Sequence, residues 1–172
     1  DSARPGSKQT AIDIDAKLLD FARDWFDLPR SPALALRAGD GAVEIGKFRP
    51  DTLDVLVRDA FDHDSVPAAL QTSEFFASCA EAVKDSGIYV ANVPDSGDHH
   101  VLRSELRSLG EHFAHLAAAT EPAILKGRRR GNVVVLASNT PLDEVGLDRN
   151  LRTAASSATF LSGANLRSRL GL

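Results

Sequence analysis

The 172-residue sequence predicts an α/β fold: a mostly parallel sheet with helices on both faces and an antiparallel pair at one edge. Short apolar runs alternate with helical runs along most of the chain, as crossover-connected parallel strands require. The last two apolar runs follow one another without a full helix between them, which suits an antiparallel pair. Acidic or amide residues also recur at strand ends, Asp13, Asp15, Asp40, Asp59 and Asn92. Open α/β sheets bind their ligands outside the carboxyl ends of the strands.

The elements follow in order. QTAIDID, from Gln9, reads as a strand ending in acid. AKLLDFARDWF carries Leu18, Leu19, Ala22, Trp25 and Phe26 at helical spacing. LPRSP ends that helix, because each proline disfavours helix in the residue before it. ALALRAGDG is a strand running into Gly39-Asp40-Gly41, and a brief helical turn spans Val43 to Phe48. Leu53 to Val57 is an apolar strand, followed by the acidic loop that holds Asp59, Asp62 and Asp64. Thr72 or Ser73 caps a helix reaching about Val83, and Asp85-Ser86-Gly87 reads as a turn. IYVANV is a buried strand, PDSGDHH a polar loop, and Val101 to Phe113 a helix. HLAAAT and NVVVLAS are the closing strands, joined by EPAILKGRRRG. Two regions are expected: 1–140 as one ligand-binding domain, N-terminally incomplete, and 141–172 as a C-terminal helical extension.

Composition narrows the function classes. Hydrophobic residues make up 43% and charged residues 26%, an ordinary globular balance. No apolar run approaches the roughly 20 residues that cross a bilayer. A net charge of −4 argues against a nucleic-acid partner. One cysteine, Cys79, excludes an internal disulfide and a multi-cysteine metal site, and fits a reducing compartment. The sequence starts at Asp1, contains no methionine and shows no signal-peptide pattern. It reads as a piece of a longer, cytoplasmic protein.

The strand-end residues suit nucleoside and amine chemistry. An acid such as Asp13 can accept hydrogen bonds from both ribose hydroxyls of a nucleoside. Asp40, between two glycines, can accept from an adenine amine, or GDG can be a plain strand-to-helix turn. Asp59 and Asp62, three apart, can attract an amine and take its proton, or simply solvate the loop before Pro67. His99 and His100 are adjacent and lack a third ligand at metal-like spacing, so no metal is expected. Lys126 to Arg130, KGRRR, is either a solvated turn or, facing a cleft, an attraction for an acid or phosphate.

The ordered set of strand-end acid, GDG and aspartate-rich loop resembles the polyamine aminopropyltransferases, the spermidine synthases, over about Gln9 to Ser138. RDAF, EFF, YVANV and LKGRRRGNVVVLAS look closest to the actinobacterial branch. The resemblance implies a Rossmann-like fold of the class I methyltransferase type with its first strand missing. It implies transfer of an aminopropyl group from decarboxylated S-adenosylmethionine to a polyamine such as putrescine, releasing methylthioadenosine without a metal. Asp13 matches the ribose-binding acid, Asp40 with Gly41 the adenine-binding pair, Asp59 the catalytic aspartate and Asp62 the second, amine-binding aspartate. The partners implied are an amine, a nucleoside and a second copy of the chain in a homodimer. The sequence departs from the family in three ways. The glycine-rich loop and N-terminal hairpin domain are absent. The catalytic loop reads DAFDHDSVP instead of DSSDPMGP. A leucine, Leu125, falls where a pocket tyrosine is expected. An S-adenosylmethionine-dependent methyltransferase, or a non-catalytic nucleoside-binding homologue, remains the alternative.

Overall fold

The computed structural model describes residues 4–154 and 158–172. The chain divides into two compact units, Asp1–Phe48 and Arg49–Leu172.

In the first unit, β1 (Gln9–Asp13) pairs in parallel with β2 (Leu34–Ala38). The connection is α1 (Ala16–Phe26), which starts where it does because Asp15 caps it: its carboxylate accepts from the Lys17 and Leu18 amides. The helix stops at Asp27, which turns left-handed at φ 47° ahead of LPRSP. A short helix, α2 (Gly41–Glu44), follows β2 and runs into a 3-10 turn at Ile45–Lys47. Among the described residues of this unit only Glu44 and Ile45 are buried. Trp25 is 71% exposed and stacks on Phe21 at 5.0 Å between ring centroids.

The second unit is a five-stranded sheet in the order β3-β4-β6-β5-β7. Its elements are β3 (Leu53–Arg58), α3 (Ser73–Ala82), β4 (Val83–Asp95), α4 (His100–Gly110), β5 (His115–Thr120), α5 (Pro122–Leu125), β6 (Gly131–Ser138), α6 (Glu144–Thr153), β7 (Thr159–Ser162) and α7 (Gly163–Leu170). β3 and β4 are parallel, while β6 runs antiparallel to both β4 and β5. The carboxyl ends of β3, β4 and β5 therefore lie at one end of the sheet. β7 pairs antiparallel with β5, so residues 141–172 are not a purely helical extension. Four residues of strand are too few to impose a readable period.

The Asp85-Gly87 turn proves to be an irregularity inside a long strand. Leu53 pairs with Val83, yet Val55 pairs with Ile88, so β4 carries extra residues opposite Asp54. Gly87 permits this, because a Cβ there would meet the Leu53 carbonyl oxygen at 2.8 Å.

One sheet face holds the core. Tyr89, Ala91 and Val93 alternate inward on β4, as Val133, Val135 and Ala137 do on β6. Over them pack Phe75, Phe76 and Cys79 of α3 and Leu102, Leu106 and Leu109 of α4. Tyr89 links the layers, meeting Phe76 edge-on at 6.3 Å and Phe113 at 5.9 Å. Each of the buried Val, Leu and Phe side chains contributes roughly 1.5–3 kcal/mol. The opposite face is open around β3 and β6, where Val57 is 64% and Val134 41% exposed.

Candidate active site

In the first unit the acids at the strand ends are tied to their own backbone. One carboxylate oxygen of Asp13 accepts from the Asp15 amide at 2.8 Å, and the Asp13 carbonyl accepts from Gly39 at 2.9 Å. Asp40 caps α2, its Oδ1 accepting from Ala42 at 2.8 Å, and Gly41 is the first residue of that helix. The cap reading of GDG is thus part of the structure, and among the described residues the second oxygen of each carboxylate has no hydrogen-bond partner. Asp13 pairs with Ala38, two residues before Asp40, so both acids stand at the same end of the parallel pair. Sequence reasoning passed over Glu44. It is buried beneath Gly39, where an added Cβ would strike its side chain at 2.8 Å, and it pairs with Arg37 and Lys47. Lys47 three residues later was the available signal.

In the second unit Asp59 follows β3 directly. Arg58 pairs with Ala91, which places Asp59 beside Asn92 on the open face. The Asn92 side-chain amide donates to Asp59 Oδ1 at 3.0 Å, the only orientation a carboxylate acceptor allows. Among the described residues the other Asp59 oxygen has no hydrogen-bond partner. Asn92 Oδ1 is buried with no partner among the described residues, an acceptor that a donor on a ligand would satisfy.

Asp62 lies apart from this pair. Its backbone exchanges hydrogen bonds with Ser65 at 2.8 and 3.1 Å, closing a tight turn with His63 at φ 54°. Its exposed carboxylate meets His63 Nδ1 at 2.8 Å. Among the described residues no hydrogen bond joins Asp62 to Asp59. The structure brings together Asp59 and Asn92, and leaves Asp62 at the rim of the loop.

Beneath the site, on the core face, Arg58 forms a buried ion pair with Glu105 of α4 and donates from Nε to the Tyr89 hydroxyl at 2.9 Å. Burial works against the guanidinium charge, but Tyr89 and Glu105 hold Arg58 cationic. Burial pushes Glu105 above the usual carboxylate range, with Arg58 opposing. Nothing in the sequence announced this pair, since 47 residues separate its members.

The loop after β4 is fastened in a similar way. Buried Asp95 meets His99 Nδ1 at 2.5 Å, and His99 Nε2 reaches the Leu125 carbonyl at 3.2 Å. Gly97 and Gly127 touch backbone to backbone, so that a Cβ on either would meet the other's carbonyl oxygen at 2.7 or 2.5 Å. The PDSGDHH loop and the KGRRR segment are therefore interlocked. Asp98 is held well below the usual carboxylate range by Ser96 and His100. Among the described residues, no three His, Cys, Asp or Glu gather as a metal site. Nor is any helix long and apolar enough to cross a membrane. A separate cleft, lined by Ser86, Ile88, Leu142 and Leu147, lies at the other end of the sheet from Asp59.

No family model matches the chain. A polyamine aminopropyltransferase of Neisseria meningitidis is 32% identical over 152 residues, covering 87% of this chain and 54% of the relative. A crystal structure of a probable spermidine synthase from Corynebacterium glutamicum superposes with a TM-score of 0.90 at 32% identity, over 97% of this chain and 62% of that one. Human methyltransferase-like protein 13, solved with S-adenosylhomocysteine, shares the fold at a TM-score of 0.62 and 22% identity, over 88% of this chain and 74% of that one. The chain spans about half the length of the curated relatives it matches. In sequence and fold the chain is similar to the polyamine aminopropyltransferases, on the α/β fold that they share with class I methyltransferases.

Proposed function

We propose that this chain is part of an aminopropyltransferase that uses decarboxylated S-adenosylmethionine as donor and a small amine as acceptor. The observation that carries the reading is Asp59, held at a strand's carboxyl end by Asn92 with one oxygen left free. The relatives named polyamine aminopropyltransferase support it. In this reading Asp13 takes the ribose hydroxyls, and Asp40 with Gly41 takes the adenine. Asp62, on its exposed turn, attracts the cationic acceptor.

The chemistry is a displacement at carbon. The acceptor's neutral nitrogen attacks the aminopropyl carbon next to the sulfonium. A C–N bond forms, the C–S bond breaks, and its electron pair returns to sulfur, giving methylthioadenosine. The proton lost from nitrogen passes to the free oxygen of Asp59 and on to solvent. The Asn92 bond fixes the carboxylate so that this oxygen faces outward.

Replacing Asp59 by Asn keeps the shape and removes the base. The expected result is a loss of about 100-fold or more in kcat, with methylthioadenosine affinity unchanged by calorimetry. Unchanged kcat would remove Asp59 from the mechanism.

A further inference from the structure

We propose that the acceptor carries a carboxylate as well as an amine, and that Arg128 and Arg130 bind that carboxylate. This deepens the reading above and rests on it for the transfer step, though the binding stands separately. KGRRR lies between β5 and β6, at the sheet end where β3, β4 and β5 finish and Asp59 stands. Arg128, Arg129 and Arg130 are all exposed. Arg129 pairs with Glu121, whereas Arg128 and Arg130 have no acidic partner among the described residues.

The position is built. Leu125 is tied through its carbonyl to His99, His99 is tied to buried Asp95, and the Gly97–Gly127 contact locks the two loops. Register supplies the direction. Gly131 pairs with Asp95 on the core face, and Asn92 pairs with Val134 on the open face. Arg130 immediately precedes β6, whose alternation puts Asn132 and Val134 on the face of Asn92 and Asp59. Four residues of strand and two strand spacings put the Cα atoms of Arg130 and Asp59 roughly 16 Å apart. An aspartate, a short ω-amino acid and an arginine laid end to end bridge that span. The amine end would find Asp59 and the unpartnered Asn92 oxygen, and the carboxylate would find the guanidinium fork. A diamine of the same length would bring a second cation against the arginines, which repel it.

The test compares 5-aminopentanoate with cadaverine, which match in length and differ in the terminal charge. In the transfer assay, kcat/KM for 5-aminopentanoate is expected to exceed that for cadaverine by about ten- to a hundred-fold, the range for a hydrogen-bonded charged group. Arg128→Gln with Arg130→Gln should collapse that ratio. A preference for cadaverine, or a ratio the double variant does not move, overturns the proposal. A parallel NMR titration without donor separates the two readings. Shifts at the Arg128 and Arg130 side chains and the Asn92 amide with 5-aminopentanoate would sustain the binding site even where no transfer occurs, and that outcome would sink aminopropyl transfer alone. Absence of those shifts would overturn the site itself.

Discussion

The two units handle their charges differently. In the first, Asp13, Asp15 and Asp40 bond to amides two or three residues away. In the second, Arg58 reaches Tyr89 and Glu105, Asp59 reaches Asn92, and His99 reaches Leu125, contacts that span 26 to 47 residues. The first unit buries almost nothing among its described residues. The second buries a layer of aromatic and aliphatic side chains around Tyr89. Local caps need only a turn of chain, so they form without a core. Long-range polar pairs form only where a core holds both partners still, and a core that surrounds them makes their loss expensive.

That contrast can be broken most sharply at Arg58. Glu105→Leu strands a buried guanidinium and is expected to cost about 3–5 kcal/mol in urea denaturation. Arg58→Met added to it should restore most of the loss, because the paired charge disappears as a whole. No recovery in the double variant would show that the pair is worth more than its hydrophobic replacement. Tyr89→Phe removes the acceptor for Arg58 Nε and should cost about 1–3 kcal/mol. In the first unit, Asp40→Ala should cost only about 1 kcal/mol of stability as a lost cap. The same change should weaken methylthioadenosine binding by about 1–3 kcal/mol. A stability loss with unchanged nucleoside affinity would reduce Asp40 to a turn residue.

The smallest effect concerns Cys79. Burial pushes its thiol from about 9 up to about 12, with Arg58 opposing. As pH rises past 9 the unfolded thiol ionises while the folded one keeps its proton, so stability declines there. At pH 8 a thiol reagent should label the protein only after unfolding. Rapid labelling of the native protein would contradict the packing drawn around α3.

The same division explains what the sequence disclosed. Thr72 before SEFF and GDG are local signals, and each is a cap or turn in the structure, while Asp15, read only as a strand-end acid, proves to cap α1. The alternation of elements was also local and carried the fold class. The Arg58–Glu105 pair was invisible, because pattern does not say which distant charges share a core. β7 was too short to stand out beside its helical neighbours. At the site, Asp59 and Asn92 were both legible as strand ends, but their bond needed the register Arg58↔Ala91. Asp62 was read as Asp59's companion from their spacing and from the resemblance of the loop. The structure adds the turn at Asp62–Ser65 and the contact of the Asp62 carboxylate with His63.

The most direct test of the account is product identity. The protein is offered an amine with decarboxylated S-adenosylmethionine, in parallel with the same amine and S-adenosylmethionine, and products are read by mass spectrometry. The account predicts methylthioadenosine and an aminopropylated amine from the first mixture, both absent with Asp59→Asn. S-adenosylhomocysteine from the second mixture, with no methylthioadenosine from the first, would contradict it and assign methyl transfer.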